Sequence, residues 1–330
     1  MDYSQVVNHV QLTDRVMRLI RKNQVERLAD QPQALSQGVP RSFFVSSALT
    51  NASALNDGLE PYTPFATIQQ AINAAVTARG DIIYILPGHT ETVTAADGLL
   101  VNKSNLTFIG LGRGSLRPTV NFTTAVGASM KITGAGCSFD NVLFTGGIDA
   151  LTGAILIQAA DCLLTNIETR DVTGQATDFI VTTAAADRRK ISGWRHNGAT
   201  AAGADTAISI VGGDGIVIED FSIFGNFAVA AIENVTTAAT NITIGGGPGQ
   251  NFIQNGLDNA AVVAVTLVAT TTGHVGPNIH VRIGLDSTSN TTNITEAFVG
   301  AAAQFFQPIN VVNLGGEVAM QTNITASTDA

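Results

Sequence analysis

The sequence predicts an all-β fold, a parallel β-helix, and three observations predict it. First, pairs of apolar residues three apart recur as Phe108/Leu111, Phe139/Val142, Leu164/Ile167, Ile191/Trp194 and Ile218/Phe221, then Ile242 with Gly245, at intervals of 24 to 31 residues. A repeat of that length, rich in Val, Ile, Phe and Thr and punctuated by Gly and Asn, supplies one turn of a strand stack. Second, like residues stand at like offsets: Cys137 and Cys162 precede corresponding core pairs, and Asn141 and Asn166 precede Val142 and Ile167. Strands stacked about 4.8 Å apart turn such matches into ladders, which a β-sandwich with the same turn frequency does not require. Third, 15 Phe accompany one Trp and three Tyr. That balance suits a buried aromatic ladder, with Trp194 at the position of Val142, Ile167 and Phe221.

Residues 1–40 read as an N-terminal helical arm and linker. Val6, Val10, Leu12, Val16, Leu19 and Ile20 recur at three- and four-residue spacings without Pro or Gly, which predicts a helix from about Ser4 to Leu28. Residues 1–30 hold five basic and four acidic side chains, a balance of +1, whereas the remaining 300 hold 12 basic and 22 acidic, or −10. Arg15, Arg18, Arg21 and Lys22 form a basic face beside Val16, Leu19 and Ile20, a composition that suits equally a docking arm and an amphipathic helix packed on its own β-body.

Residues 41–80 read as a connector and capping helix. Arg41–Val45 is a short strand, and Ile68, Ile72 and Ala75 share one face of a helix closed by Gly80. A helix placed just before the first strand plugs the open end of a solenoid. Residues 81–256 hold the rungs. Residues 257–330 leave the rung pattern and read as a C-terminal β module with strands near Ala261–Val268, Ile279–Ile283 and Phe305–Val312. Its six charged residues among 74 leave a surface that subunits of the same kind would cover.

Charged residues are 13% of the chain, hydrophobic ones 45%, and the net charge is −9. Low surface charge favours a homo-oligomer. An acidic chain without clustered Lys and Arg is not a general nucleic-acid binder. No apolar run reaches membrane-spanning length, and the polar N-terminus shows no secretory signal. Two cysteines give neither a disulfide framework nor a metal spacing, and read as buried thiols on adjacent rungs.

The run Pro64-Phe-Ala-Thr-Ile-Gln-Gln-Ala-Ile-Asn-Ala-Ala75, then Gly80-Asp-Ile-Ile-Tyr-Ile-Leu-Pro-Gly-His-Thr-Glu91 and Asn105-Leu-Thr-Phe-Ile-Gly110, resembles the opening of right-handed parallel β-helix proteins of the pectate-lyase-like superfamily. The resemblance covers about residues 41–256. More narrowly, the arm, the Phe-Ala-Thr-Ile-Gln cap and Gly-Leu-Gly-Arg-Gly114 are similar to β-helical proteins encoded among tailed-bacteriophage structural genes. The resemblance implies a right-handed solenoid and a structural virion protein on the outer capsid surface, cementing or decorating the major capsid protein through Arg15, Val16, Arg18, Leu19, Ile20, Arg21 and Lys22. By the same analogy the oligomer is a trimer. The alternative it implies is a tailspike-like receptor-binding protein or depolymerase, with a host-surface glycan as partner.

A search of the rungs for chemistry returns no catalytic residue, no metal ligand set and no cofactor motif. Asp140 and Glu219 align three rungs apart, roughly 14 Å and too far for a shared site. Glu168-Thr-Arg-Asp171, with Asp178 beyond it, and Glu219-Asp220 read as solvated corner residues, because strand neighbours point to opposite faces. Asp187-Arg-Arg-Lys190 reads as a solvated or intersubunit loop. His89 and Glu91 share a strand face at a structural turn. Gly110-Leu-Gly-Arg-Gly114 and Gly245-Gly-Gly-Pro-Gly249 lack the Lys-Ser/Thr and helix of a phosphate loop, and read as rung corners or insertions.

Overall fold

The computed structural model describes residues 38–171, 176–199, 204–255, 263–276 and 278–281, and, in backbone, 282–283, 298–299, 304–305 and 309–313. Its strands form three parallel sheets of ten, nine and eight strands, and every strand pairs with the strand one turn earlier or later. This is a parallel β-helix. The first rung runs through Ile82–Ile85 in the first sheet, Thr90–Val93 in the second and Leu99–Val101 in the third. Seven complete rungs lie between Ile82 and Thr266.

Alternation fills the inside. Ile83, Phe108, Phe139, Leu164, Ile191, Ile218, Ile244 and Val275 stack in register down the first sheet, and all are buried. The Phe108 and Phe139 rings stack with centroids 4.2 Å apart and planes 1° from parallel. In-register stacking forces this geometry, since equivalent side chains leave their strands in one direction about 4.8 Å apart. Two pairs of the sequence repeat shift. Ile244, not Ile242, stacks on Ile218. Leu111 leaves the interior for an outer apolar cluster with Phe44, Ile82 and Tyr84, because the segment after Gly110 is an insertion. Pro118 takes the inner corner place, its carbonyl accepting from Leu143 N at 2.9 Å.

Two residues before each inner column member lies a second column: Asp81, Leu106, Cys137, Cys162, Arg189, Ile216 and Ile242, all buried or nearly so. The two cysteines are free and adjacent, and burial pushes their thiols up to about 11 and about 12. Arg189 corrects the sequence reading. The run Asp187–Lys190 is not wholly solvated, for Arg189 is fully buried at the cysteine position, donating to the Ala186 carbonyl and, at 3.5 Å, to that of Gly212. Its neighbour Arg188 is the exposed one and pairs with Asp161 one rung back.

The N-terminal end is closed as the sequence predicts. Ser42–Val45 adds to Ile82–Ile85 in the first sheet, and the helix Ile68–Ala74 buries Ile68, Ala71 and Ile72 in the core. Thr67 and Gln70 form a capping box at its start. The described strands beyond Leu257 are not a separate sheet: Val263–Thr266, Gly273–Val275, Ile279–Ile283, Phe298–Val299, Gln304–Phe305 and Ile309–Asn313 extend the same three. Repeat spacing stretches there, which hides the pattern in the sequence. The arm, with Arg15, Val16, Arg18, Leu19, Ile20, Arg21 and Lys22, lies outside the described residues. Among the described residues no helix is long and apolar enough to cross a membrane.

Candidate functional site

Between the first and second sheets the chain turns through two residues, the first of them left-handed. Asn141, Asn166, Gly193 and Asp220 hold that corner on four successive rungs with φ of 58°, 51°, 67° and 52°. The left-handed backbone there explains the choice, since Asn, Asp and Gly tolerate it best. At Gly193 a Cβ would lie 2.8 Å from Asn166 Oδ1, so the ladder of short polar residues is also close-packed.

These tight corners sit between two insertions, Leu111–Pro118 on one side and Gly245–Gln250 on the other, and the result is a groove of about 480 Å³. Its floor is the Asn141, Asn166, Gly193 and Asp220 ladder; Arg113, Arg117 and Arg195 line it, with Ser222 and Gln250. The two Gly-rich stretches noted in the sequence are thus the groove's end walls. Arg117 Nη1 donates to Glu168 Oε2 at 2.9 Å, its Nη2 donates to the Asn166 carbonyl, and its Nε is buried without a partner. Burial pulls the Arg117 guanidinium below its ordinary value; Glu168 opposes that, while Arg170 and Arg195 add to it by repulsion.

The acids that the sequence brought forward are occupied by neighbouring rungs. Asp140 Oδ1 accepts from Asn166 Nδ2 at 2.8 Å and Thr165 Oγ1 at 3.1 Å. Glu168 is not a solvated corner residue, for it bridges Arg117 and Arg170, and Glu219 pairs with Lys190 at 2.5 Å. Asp214 Oδ1 accepts from Thr240 and Asn241, bonds that hold its carboxyl below the usual range. Asp220 Oδ1 accepts from Gly249 N at 2.7 Å and so ties the corner to the far wall. Asp171 also departs from the solvated reading: it is buried, accepts from Ala176 N at 3.2 Å, and burial raises its carboxyl.

A second set of acids lies on the third sheet. Asp178, raised by burial and then by Asp205, accepts from Thr206 Oγ1 at 2.7 Å; Glu233 is raised by burial and then by Asp178 and Asp205. In the third sheet Asp178 lies beside Thr206 and Glu233 beside Ser209, in different columns of the sheet. Sequence reasoning aligned only the first two strands. Among the described residues no group of three or more His, Cys, Asp or Glu is placed to hold a metal ion.

His89 and Glu91, which share a strand face, are brought together at the helix start. Glu91 Oε2 accepts from Ile68 N at 2.8 Å and lies 3.0 Å from His89 Nε2, both side chains buried under the capping helix.

No protein-family model matches the chain, and no curated protein matches it. Among solved structures it is similar to a rhamnogalacturonan lyase, at 13% identity and a TM-score of 0.40, over 81% of this chain and 87% of the other.

Proposed function

We propose that the chain is a structural protein of a tailed-bacteriophage particle, decorating or cementing the outer capsid surface as a homotrimer and docking on the major capsid protein through its arm. The observation that supports a structural role is how the described carboxylates are used. Asp140, Asp161, Asp187, Asp214, Glu219 and Asp220 each bond to a neighbouring turn, and Glu168 bonds to Arg117 two turns earlier. Acids committed to stacking make a stiff spacer, because every rung is then held by side chains as well as by its backbone ladder. The docking half of the proposal rests on the basic and apolar faces of residues 1–40, Arg15, Arg18, Arg21 and Lys22 beside Val16, Leu19 and Ile20.

Deleting residues 1–40 and adding the truncated protein to undecorated capsids tests docking. The expected outcome is loss of binding with an unchanged melting temperature, and full binding by the truncated body would refute the arm's role. Light scattering tests assembly: the expected mass is three times 34.2 kDa, and monomer at micromolar concentration would exclude the trimer.

A further inference from the structure

Exposed apolar side chains are not spread evenly over the described residues. Of the ten large ones, five lie where two loops meet: Leu49, Leu55, Leu59 and Tyr62 on the loop 46–64, and Leu116 on the insertion Leu111–Pro118. Scattered singly such residues need no explanation, but gathered in one place they mark a surface that another molecule covers. The two loops join at Gly88. A Cβ there would lie 3.7 Å from Ala48 Cβ and 3.8 Å from Leu116 Cδ2. Gly88 N donates to the Leu116 carbonyl at 2.8 Å, and Thr90 N donates to Ser47 Oγ at 2.8 Å.

The longer loop holds its shape without those side chains. Asn56 Nδ2 donates to the Pro64 carbonyl at 2.8 Å and the Asn51 carbonyl at 2.9 Å, Asn51 Nδ2 donates to that of Tyr62, and Phe44 N donates to that of Gly58 at 2.7 Å. Leu55, held on this braced loop, is 96% exposed. A loop already ordered has little entropy left to lose on association, so burying its leucines returns most of their hydrophobic gain.

Charge decides which molecule fits. The loop 46–64 carries Asp57 and Glu60 and no Lys or Arg, whereas the insertion carries Arg113 and Arg117 and no acid. Arg117 is taken by Glu168. Asp57, Glu60 and Arg113 are exposed and form no ion pair among the described residues. A partner of one charge sign would match one loop and repel the other. A surface acidic on one loop, basic on the next and apolar on both is complementary to a second copy of itself.

We propose that this surface is the contact between copies of the chain, with Asp57 and Glu60 of one subunit meeting Arg113 of the next while Leu55 and Tyr62 pack against Leu116. The inference rests on the homotrimer proposed above and gives it an interface: three such contacts made head to tail close a ring. It sets that interface beside the first rung of the solenoid and leaves the arm free.

Light scattering of the full-length protein over a dilution series tests it. Wild type is expected at three times 34.2 kDa. Leu55→Asp, Glu60→Lys and Arg113→Glu, all at exposed positions, are each expected to raise the dissociation constant of the assembly about tenfold or more. The double variant Glu60→Lys with Arg113→Glu restores the pair with its signs exchanged, and should assemble again. Single variants that assemble like wild type overturn the proposal and leave the homotrimer standing, as does a double variant that assembles no better than the singles. Monomeric wild type at every concentration overturns both. A wild-type dimer that responds to the exchange of signs refutes the three-fold count and supports this contact. Variants that stay trimeric but no longer bind undecorated capsids assign the surface to the capsid protein, which overturns a contact between copies.

Discussion

His196 shows how a single interior position can carry a polar group without a charge. Trp194 Nε1 donates to Thr169 Oγ1 at 2.9 Å, the same hydroxyl is hydrogen-bonded to His196 Nδ1 at 2.8 Å, and His196 Nε2 is buried without a partner. Burial pushes the imidazole down to about 3. The unfolded chain, titrating near 6.5, therefore takes up a proton that the folded chain refuses. Stability from this group is complete above about pH 6.5 and is lost as pH falls toward 3. In His196→Phe, which keeps an aromatic ring between Phe179 and Phe227, that loss disappears. Urea melts between pH 6 and 4 should show wild type losing about 1.4 kcal/mol per pH unit relative to the variant. Asp171, Asp178 and Glu233, raised by burial, titrate in the opposite sense but equally in both proteins, so the difference isolates His196. Parallel curves would show that the imidazole is hydrated. None of this was legible in the sequence: His196 belongs to no motif there, and Arg189 stood inside a charge run. Their burial follows from stacking register, which hydropathy at one position does not report.

At the scale of the element, the capping helix was legible and its latch was not. Thr67, Gln70 and the apolar spacing of Ile68, Ala71 and Ile72 mark a helix start by local rules alone. Glu91 closes the same helix from 23 residues away, accepting from Ile68 N inside the core. A side chain answering a helix terminus across the fold leaves no local pattern. Thr67→Ala should cost about 1 kcal/mol through the cap. Glu91→Leu should cost more, about 1–3 kcal/mol, because it strands a buried N–H that water cannot reach. Urea denaturation orders the two, and a smaller loss in Glu91→Leu would mean that the end of the solenoid is wet. The groove was half legible by the same logic: both glycine-rich walls stood out in the sequence, whereas Arg117 meets Glu168 only because 51 residues of stacking bring them together.

For the whole molecule the legible part was the repeat, and the illegible part was where it stops. Recurrence between Phe108 and Ile218 made the rungs visible; the insertion after Gly110 and the wider strand spacing after Asn255 blurred both ends, although pairing continues through Ile309–Asn313. A stack in which each turn touches only its neighbours should fail locally rather than all at once. Phe139 is the test position, buried between Phe108 above and Leu164 below and edge-on to Phe144. Phe139→Asp removes a stacked ring and buries an unpaired carboxylate, a cost on the order of 3–5 kcal/mol. Amide hydrogen exchange should then show lost protection in Thr107–Gly110, Ser138–Asp140 and Leu163–Thr165, the strands that pair with the altered one. Ile242–Ile244, four rungs away, should keep its protection, because no contact carries the defect that far except through intact turns. Uniform loss along the chain would mean that the solenoid unfolds as one cooperative block. In that case the side-chain ladder of Asp140, Glu168, Asp214 and Glu219, rather than nearest-neighbour packing, sets the length over which the turns are coupled.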